Sequence, residues 1–268
     1  MTDFLDLLTR DASAADDDGA AARLAKVAFE CLASGLSDDR VASLLRALGF
    51  DGAFACFAIA GLPAATVEAT SRDVTRAVVD LGGDKPLIGV RDGVVAALVR
   101  VEAAASPEVT CTSVAAAFDT TSTPICLGPV RHGVSGAVAT LGAALTTLRA
   151  APAMPPRPRA ATPLRAEEAL PERALLGDAD ARRELVDVVY GSLAGDNPDD
   201  PTMLTVSTFL ASGGSLETTA RTLNVHPNTV RYRLKRAADT TGWDATNPRE
   251  AYVLTTAIAL GRIHAARG

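Results

Sequence analysis

The residues best equipped for chemistry lie in positions 215–243, SLETTARTLNVHPNTVRYRLKRAADTTGW. On a 100° wheel starting at Pro227, one arc is apolar: Val230, Leu234, Ala237 and Ala238. The opposite arc carries Asn228, Thr229, Tyr232, Lys235 and Arg236, with Arg231 and Arg233 on its flanks. Amides and guanidinium groups suit base edges, whereas hydroxyls and cations suit phosphate oxygens. The chemistry is recognition of double-stranded DNA rather than bond making. If this helix docks as the second of a helix-turn-helix, its N-terminal residues meet the bases. That predicts base or near-base contacts for His226, Asn228, Thr229 and Tyr232, and backbone contacts for Arg231, Arg233, Lys235 and Arg236. Ser215 heads the preceding helix and is expected to bind a phosphate through its hydroxyl and free N–H groups.

An isolated RYRLKR run would be the solvated face of an ordinary amphipathic helix. The punctuation around it argues for more. Met203, Val206, Phe209 and Leu210 form a first stripe, and Gly213-Gly214 ends it. Ser215 is a good N-cap for a helix whose Leu216, Ala220 and Leu223 fall at i, i+4 and i+7. Asn224 and Val225 make the turn, with Val225 expected to plug the space between the helices. Pro227 suits a first helical position and holds His226 extended. A last helix, opened by Asn247-Pro248, carries a wide apolar arc of Val253, Leu254, Ala257, Ile258 and Leu260. Core packing is its default use, and self-association is the alternative.

Charge follows the same division. From Pro201 onward eight Lys/Arg stand against four acids, a local +4 in a chain of net charge −6, which leaves −10 for the rest. An acidic body with one basic module suits a single phosphate-binding face rather than a general nucleic-acid coat.

Positions 204–262 resemble the C-terminal DNA-binding domain of the PucR/CdaR family of bacterial transcriptional regulators. The likeness rests on Gly-Ser-Leu before the second helix, on HPNTVRYRLKR, and on Thr-Gly followed by Asn247-Pro248. This helix-turn-helix is itself similar to that of the Fis nucleoid protein. Two departures from the family pattern stand out: Ala237-Ala238 replaces a bulkier, more acidic continuation, and Trp243 replaces a smaller apolar residue. Residues 166–200, with LLGDADARRELV, resemble the helical lead-in to that domain.

Upstream, the chain must supply the elements that carry this module. A helix from Ala20 shows Leu24, Val27, Ala28, Cys31 and Leu32, and a second follows Ser37 as N-cap and stops at Gly49. Residues 53–60, AFACFAIA, read as a strand buried on both faces. A helix over 66–81 and two short strands over 87–90 and 94–101 follow. Asp92-Gly93 between those strands is a hairpin signal. A helix over 107–118, a strand over 125–127 and an alanine-rich helix over 135–148 complete one sheet covered by helices. Five prolines in 149–163 then impose an extended connection. Helical stripes reappear in Leu170, Leu175 and Leu176, then in Leu185, Val188, Val189 and Leu193, before the break GDNPDD.

This central region resembles the GGDEF-like domain found upstream in the same family. Active diguanylate cyclases carry Gly-Gly-acid-acid-Phe at the hairpin, but here it reads Arg91-Asp92-Gly93-Val94-Val95. One aspartate is a poor cradle for Mg²⁺. Gly82-Gly83-Asp84 ends a helix and reads as a C-cap; His132, near Arg131, reads as a surface loop before the helix at Ser135, with binding of an anionic ligand as the alternative. Cys31, Cys56, Cys111 and Cys126 form no C-x-x-C pair and are expected as buried free thiols. The acidic N-terminus, ending in Asp16, Asp17 and Asp18, lacks the basic start of a signal peptide. No apolar run is expected to reach the ~20 residues of a membrane span.

The expected fold is an α+β, sandwich-like central domain of GGDEF type followed by an all-α helix-turn-helix domain. Its parts are an N-terminal helical segment (1–49), the α/β domain ending in the proline-rich connection (50–163), a helical lead-in (164–200) and the DNA-binding domain (201–268). The function this implies is sequence-specific transcriptional regulation in the cytoplasm. The protein would act as a homodimer or higher homo-oligomer, with the central domain for oligomerisation or sensing and no membrane partner. A small-molecule effector is left unidentified. No catalytic, metal or cofactor residue is assigned, so the protein is expected not to be an enzyme. The alternatives are a cyclase-like nucleotide-handling enzyme and a non-specific architectural DNA binder.

Overall fold

The computed structural model describes residues 17–101, 105–155, 163–195 and 200–266. The expectations for Asp16, for the middle of the proline-rich connection (156–162), for most of the GDNPDD break (196–199) and for Arg267 lie outside the described residues. The chain divides into two compact units, Met1–Ala169 and Leu170–Gly268.

The first unit opens with helices α1 (Asp17–Ala33) and α2 (Asp39–Ala47). Asp38, not the expected Ser37, caps α2: one carboxylate oxygen accepts from the Arg40 and Val41 N–H groups at 3.1 Å each. A carboxylate at this end also meets the positive pole of the helix dipole. Then come β1 (Ala55–Gly61), α3 (Val67–Asp80), β2 (Leu87–Arg91), β3 (Val94–Arg100), α4 (Pro107–Val114), β4 (Cys126–Leu127), β5 (Arg131–His132), α5 (Gly133–Ala150) and β6 (Leu164–Arg165). The strands form one sheet in the order β2-β3-β1-β4-β6, with β5 also paired to β1. All pairings are antiparallel except β4 with β6.

The hairpin forms as the sequence requires. Arg91 pairs with Val94, and Asp92 and Gly93 between them take φ of +52° and +79°. The helix expected over 107–118 ends at Val114, and a 3₁₀ turn, Ala115–Ala117, continues it. Arg131 and His132 are strand residues rather than loop, registered against Cys56 and Ala55 while their side chains stay exposed. β6 went unpredicted because two residues are too few to show a period and its partner β4 lies far away in sequence.

Alternation along β1 divides the core by size. Cys56, Ala58 and Ala60 face α1, α2 and α5, whereas Phe57 and Ile59 face α3 and α4. The small side let the alanine-rich α5 lie close to the strands. A Cβ on Gly128 would come within 2.4 Å of the Thr140 carbonyl oxygen. On the same side of the sheet, a Cβ on Gly89 would come within 2.1 Å of the Phe29 ring. The stretch Gly133–Ala153, 21 residues, is long and apolar enough by composition to cross a bilayer, contrary to the expectation from sequence. Half of it is buried, and Ala137, Leu141 and Ala144 lie in the core.

β4 and β5 pair with β1 at residues 59–60 and 55–56, leaving a gap opposite Ala58. The Gly128 N–H donates to the Ala58 carbonyl at 2.8 Å, and the Ala58 N–H donates to the Thr140 hydroxyl at 3.1 Å. A helix side chain thus completes the ladder. Three cysteines are fully buried, and burial pushes the Cys56 and Cys111 thiols up to about 12, Glu108 adding to the rise at Cys111. None of the four cysteines forms a disulfide, and Cys31 is half-buried.

The second unit is helical: α6 (Leu170–Leu175), α7 (Ala179–Arg183), a π-helical stretch (Glu184–Tyr190), α8 (Gly191–Ala194), α9 (Thr202–Ala211), α10 (Leu216–Leu223), α11 (Pro227–Thr241) and α12 (Pro248–Ala265). Leu170, Leu185, Val189 and Leu193 share one core with residues of α9–α12. Leu175, Leu176 and Val188, expected on the buried stripe, are exposed instead. The wider π turn keeps residues four apart on one face, so 185, 189 and 193 turn inward and Val188 turns out. Close approach is also needed there, since a Cβ on Gly261 would come within 2.2 Å of the Tyr190 ring.

Thr140→Val keeps the shape of this side chain and strands the Ala58 N–H. It should cost about 1–3 kcal/mol in chemical unfolding followed by circular dichroism, with faster hydrogen exchange at Ala58.

Candidate nucleic-acid interface

Helix α11 starts where the sequence leaves few alternatives. Gly213 and Gly214 take φ of +70° and +83° after α9, and Asn224 takes the left-handed conformation after α10. The Val225 N–H then closes on the Ala220 carbonyl at 3.0 Å, and its side chain packs against the core. His226 is extended, Pro227 opens α11, and the His226 Nδ1 accepts from the Asn228 N–H at 3.2 Å.

Val230, Leu234 and Ala237 are buried, so the opposite arc of α11 faces outward. His226, Asn228, Arg231, Tyr232, Lys235 and Arg236 are exposed, Tyr232 at 67%, whereas Thr229, Arg233 and Ser215 are half-buried. Apart from Ser215, which heads α10, the residues expected to read bases and bind phosphates lie on α11 or at its N-cap, but they are not equally free. Arg231 donates to the Asn228 Oδ1 at 2.7 Å. Arg233 donates to the Thr205 hydroxyl of α9 at 3.2 Å. Arg236 pairs with the Asp200 carboxylate at 2.8 Å. The Ser215 hydroxyl caps α10, accepting from the Thr218 N–H at 3.2 Å and donating to the Thr218 hydroxyl at 2.9 Å. The Ser215 N–H donates to the Ser212 hydroxyl.

Asp200 was not singled out in the sequence. Its other oxygen accepts from the Thr202 hydroxyl at 2.6 Å and from the Thr202 N–H at 2.9 Å. These hydrogen bonds, and then Arg236 and Arg233, hold its carboxyl below the usual range. An aspartate just before a helix is a turn signal, but its pairing with Arg236, 36 positions on, leaves no local trace.

A second positioning pair was equally unforeseen. Arg249, in the first turn of α12, grips the buried Glu172 of α6 at 2.5 and 2.6 Å and lies 5.6 Å from the Tyr252 ring centroid. Beside it, the buried Arg173 pairs with Asp178 at 2.9 Å, and Asp178 also caps α7. In the first unit the hairpin cation Arg91 donates to the Ala33 carbonyl at the end of α1.

A mixed α/β unit is thus followed by a helical unit with a helix-turn-helix, whose second helix offers a polar, cationic surface. Residues 202–260 match the PucR C-terminal helix-turn-helix domain, and residues 34–150 match the GGDEF-like domain. The crystal structure of a regulator of polyketide synthase expression from Bifidobacterium adolescentis superposes with a TM-score of 0.87. It is 54% identical, over 98% of this chain and 99% of that one. The chain belongs to the PucR/CdaR family of transcriptional regulators. Uncharacterized proteins of Mycobacterium tuberculosis and Mycobacterium bovis are 42% identical over 142 residues. That match covers 53% of this chain and 33% of theirs, so the chain matches about a third of the length of these curated relatives.

Arg249→Ala leaves the Glu172 carboxylate buried without its bidentate partner. It should destabilise the second unit by about 3 kcal/mol or more in urea, read by the fluorescence of Trp243. Replacing both members by leucine should recover most of the loss, because neither charge is then stranded.

Proposed function

We propose that this chain is a sequence-specific transcriptional regulator that inserts α11 into the DNA major groove. The observation that carries the proposal is the two-sided character of α11. Val230, Leu234 and Ala237 are buried, and His226, Asn228, Tyr232 and Lys235 stand exposed on the other side. In this reading His226, Asn228, Thr229 and Tyr232 approach base edges, and Lys235 neutralises phosphate charge, with Arg231 and Ser215 beside them. Arg233 and Arg236 serve first to hold α11 to the start of α9, through Thr205 and Asp200.

One reading helix spans only a few base pairs. A homodimer or higher oligomer, presenting two such helices to half-sites about 34 Å apart, supplies the remaining specificity. Residues 201–268 are then the DNA-binding domain, 164–200 its lead-in, and 50–163 a scaffold for oligomerisation or sensing, preceded by the helical segment 1–49. The scaffold reading, rather than catalysis, is supported by the hairpin Arg91-Asp92-Gly93-Val94-Val95. It offers one acid, and its arginine is turned toward the end of α1. Incubation with GTP and Mg²⁺ should yield no cyclic product, and turnover would overturn this part of the reading.

Genome-wide mapping of bound sites should return a shared sequence, whereas uniform coverage would indicate an architectural binder. On the specific duplex, Asn228→Ala or Thr229→Ala should relax sequence choice. Lys235→Ala should weaken all duplexes alike and lower the salt slope by about 0.9. Asp200→Asn keeps the acceptor for Thr202 and releases Arg236, so the slope should steepen by about 0.9. In the unaltered protein Arg236→Ala should change the slope much less than Lys235→Ala does.

A further inference from the structure

We propose that the first turn of α11 reads guanine, and that Arg231 sets this choice by occupying the acceptor oxygen of Asn228. The inference rests on the major-groove reading above. It starts from two internal hydrogen bonds. The His226 Nδ1 takes the Asn228 N–H at 3.2 Å, which leaves the ring proton on the outward Nε2. The Asn228 Oδ1 takes an Arg231 N–H at 2.7 Å, which leaves the amide NH₂ as its outward group. Both of these acceptor atoms are engaged within the protein, and the half-buried Thr229 hydroxyl beside them can donate as well as accept. What faces a ligand is a set of donors: the His226 Nε2–H, the Asn228 Nδ2 hydrogens and the remaining guanidinium hydrogens of Arg231.

An asparagine with both ends free matches adenine, accepting from N6 and donating to N7. With an Arg231 N–H already on its Oδ1, Asn228 has only that oxygen's second lone pair left for N6, and the adjacent guanidinium cation crowds and repels a second donor, so adenine is disfavoured at this position. Guanine presents two acceptors, N7 and O6, and no donor on its major-groove edge. It satisfies two of the outward donors and strands none. The bond to Asn228 also holds the guanidinium fork in place before DNA arrives, which lowers the ordering cost of the contact. Phosphate oxygens are acceptors too. The guanine assignment is favoured because the donors cluster at the N-terminal turn, the part of a reading helix that reaches base edges.

Selection of bound duplexes from a randomised pool by the full chain, followed by affinity measurements on single-base variants, tests this. The expected site contains a guanine whose replacement by adenine weakens binding by about 10-fold or more. Replacing that guanine by 7-deazaguanine, which removes the N7 acceptor, should weaken binding comparably while leaving the protein unaltered. Arg231→Met keeps the aliphatic stem and frees the Asn228 Oδ1. It should move the preference at that position from guanine toward adenine, and adding Asn228→Ala should abolish it. The proposal is overturned if the discriminating position is adenine in the unaltered protein, or if 7-deazaguanine is tolerated. It is also overturned if Arg231→Met weakens every duplex by the same factor with guanine still preferred, the outcome for a phosphate contact. A pool that yields no enriched site would sink the sequence-specific reading itself, so the two failures are distinguishable.

Discussion

A helix that leaves one face to solvent can be held only by the other. In this chain the burden falls on Val230, Leu234 and Ala237 of α11, all buried in the core of the second unit. Burying a leucine-sized side chain contributes about 1.5–3 kcal/mol, and each partial unburying would tilt the polar face. Neighbouring elements of the unit build that seat. Val206 and Phe209 of α9 and Ala220 of α10 line the seat, and Leu185, Val189 and Leu193 join the same core through a π-helical stretch. The approach of that stretch to Gly261 depends on the absence of a side chain there.

Charge is allocated on the same principle. Arginines of the second unit divide into those spent on positioning and those left toward solvent. Arg233 and Arg236 reach back to Thr205 and Asp200, and Arg249 reaches the buried Glu172. Arg231 is both exposed and restrained, through Asn228. A guanidinium suits such double use, because its planar fork can hold one partner and still present further donors.

The first unit solves a different packing problem by side-chain size. Cysteine and alanine on one face of β1 admit the alanine-rich α5, while Phe57 and Ile59 fill the space toward α3 and α4. So close an approach lets Thr140 complete a hydrogen bond that the broken β4–β5 edge leaves open. The hairpin that resembles a cyclase signature in position carries an arginine used as a tether to α1.

Much of this was legible from residue order alone, because the determinants are local. Gly213-Gly214, Ser215, Asn224 and Pro227 each constrain their own backbone, so the helix-turn-helix and the register of its polar face follow from neighbours in sequence. The same holds for Asp92-Gly93 in the hairpin and for the alternating β1. Tertiary structure alone decided what depends on residues distant in the chain: the two-residue strands β5 and β6, the Thr140 bond to Ala58, and the pairings Asp200–Arg236 and Glu172–Arg249. It also left Leu175 and Leu176 exposed at the end of α6 and turned Val188 outward, the latter because a π-helical turn breaks the period from which burial was inferred. Short-range chemistry sets which face of α11 is polar. Long-range packing sets which of its cations and amides are still free to use it.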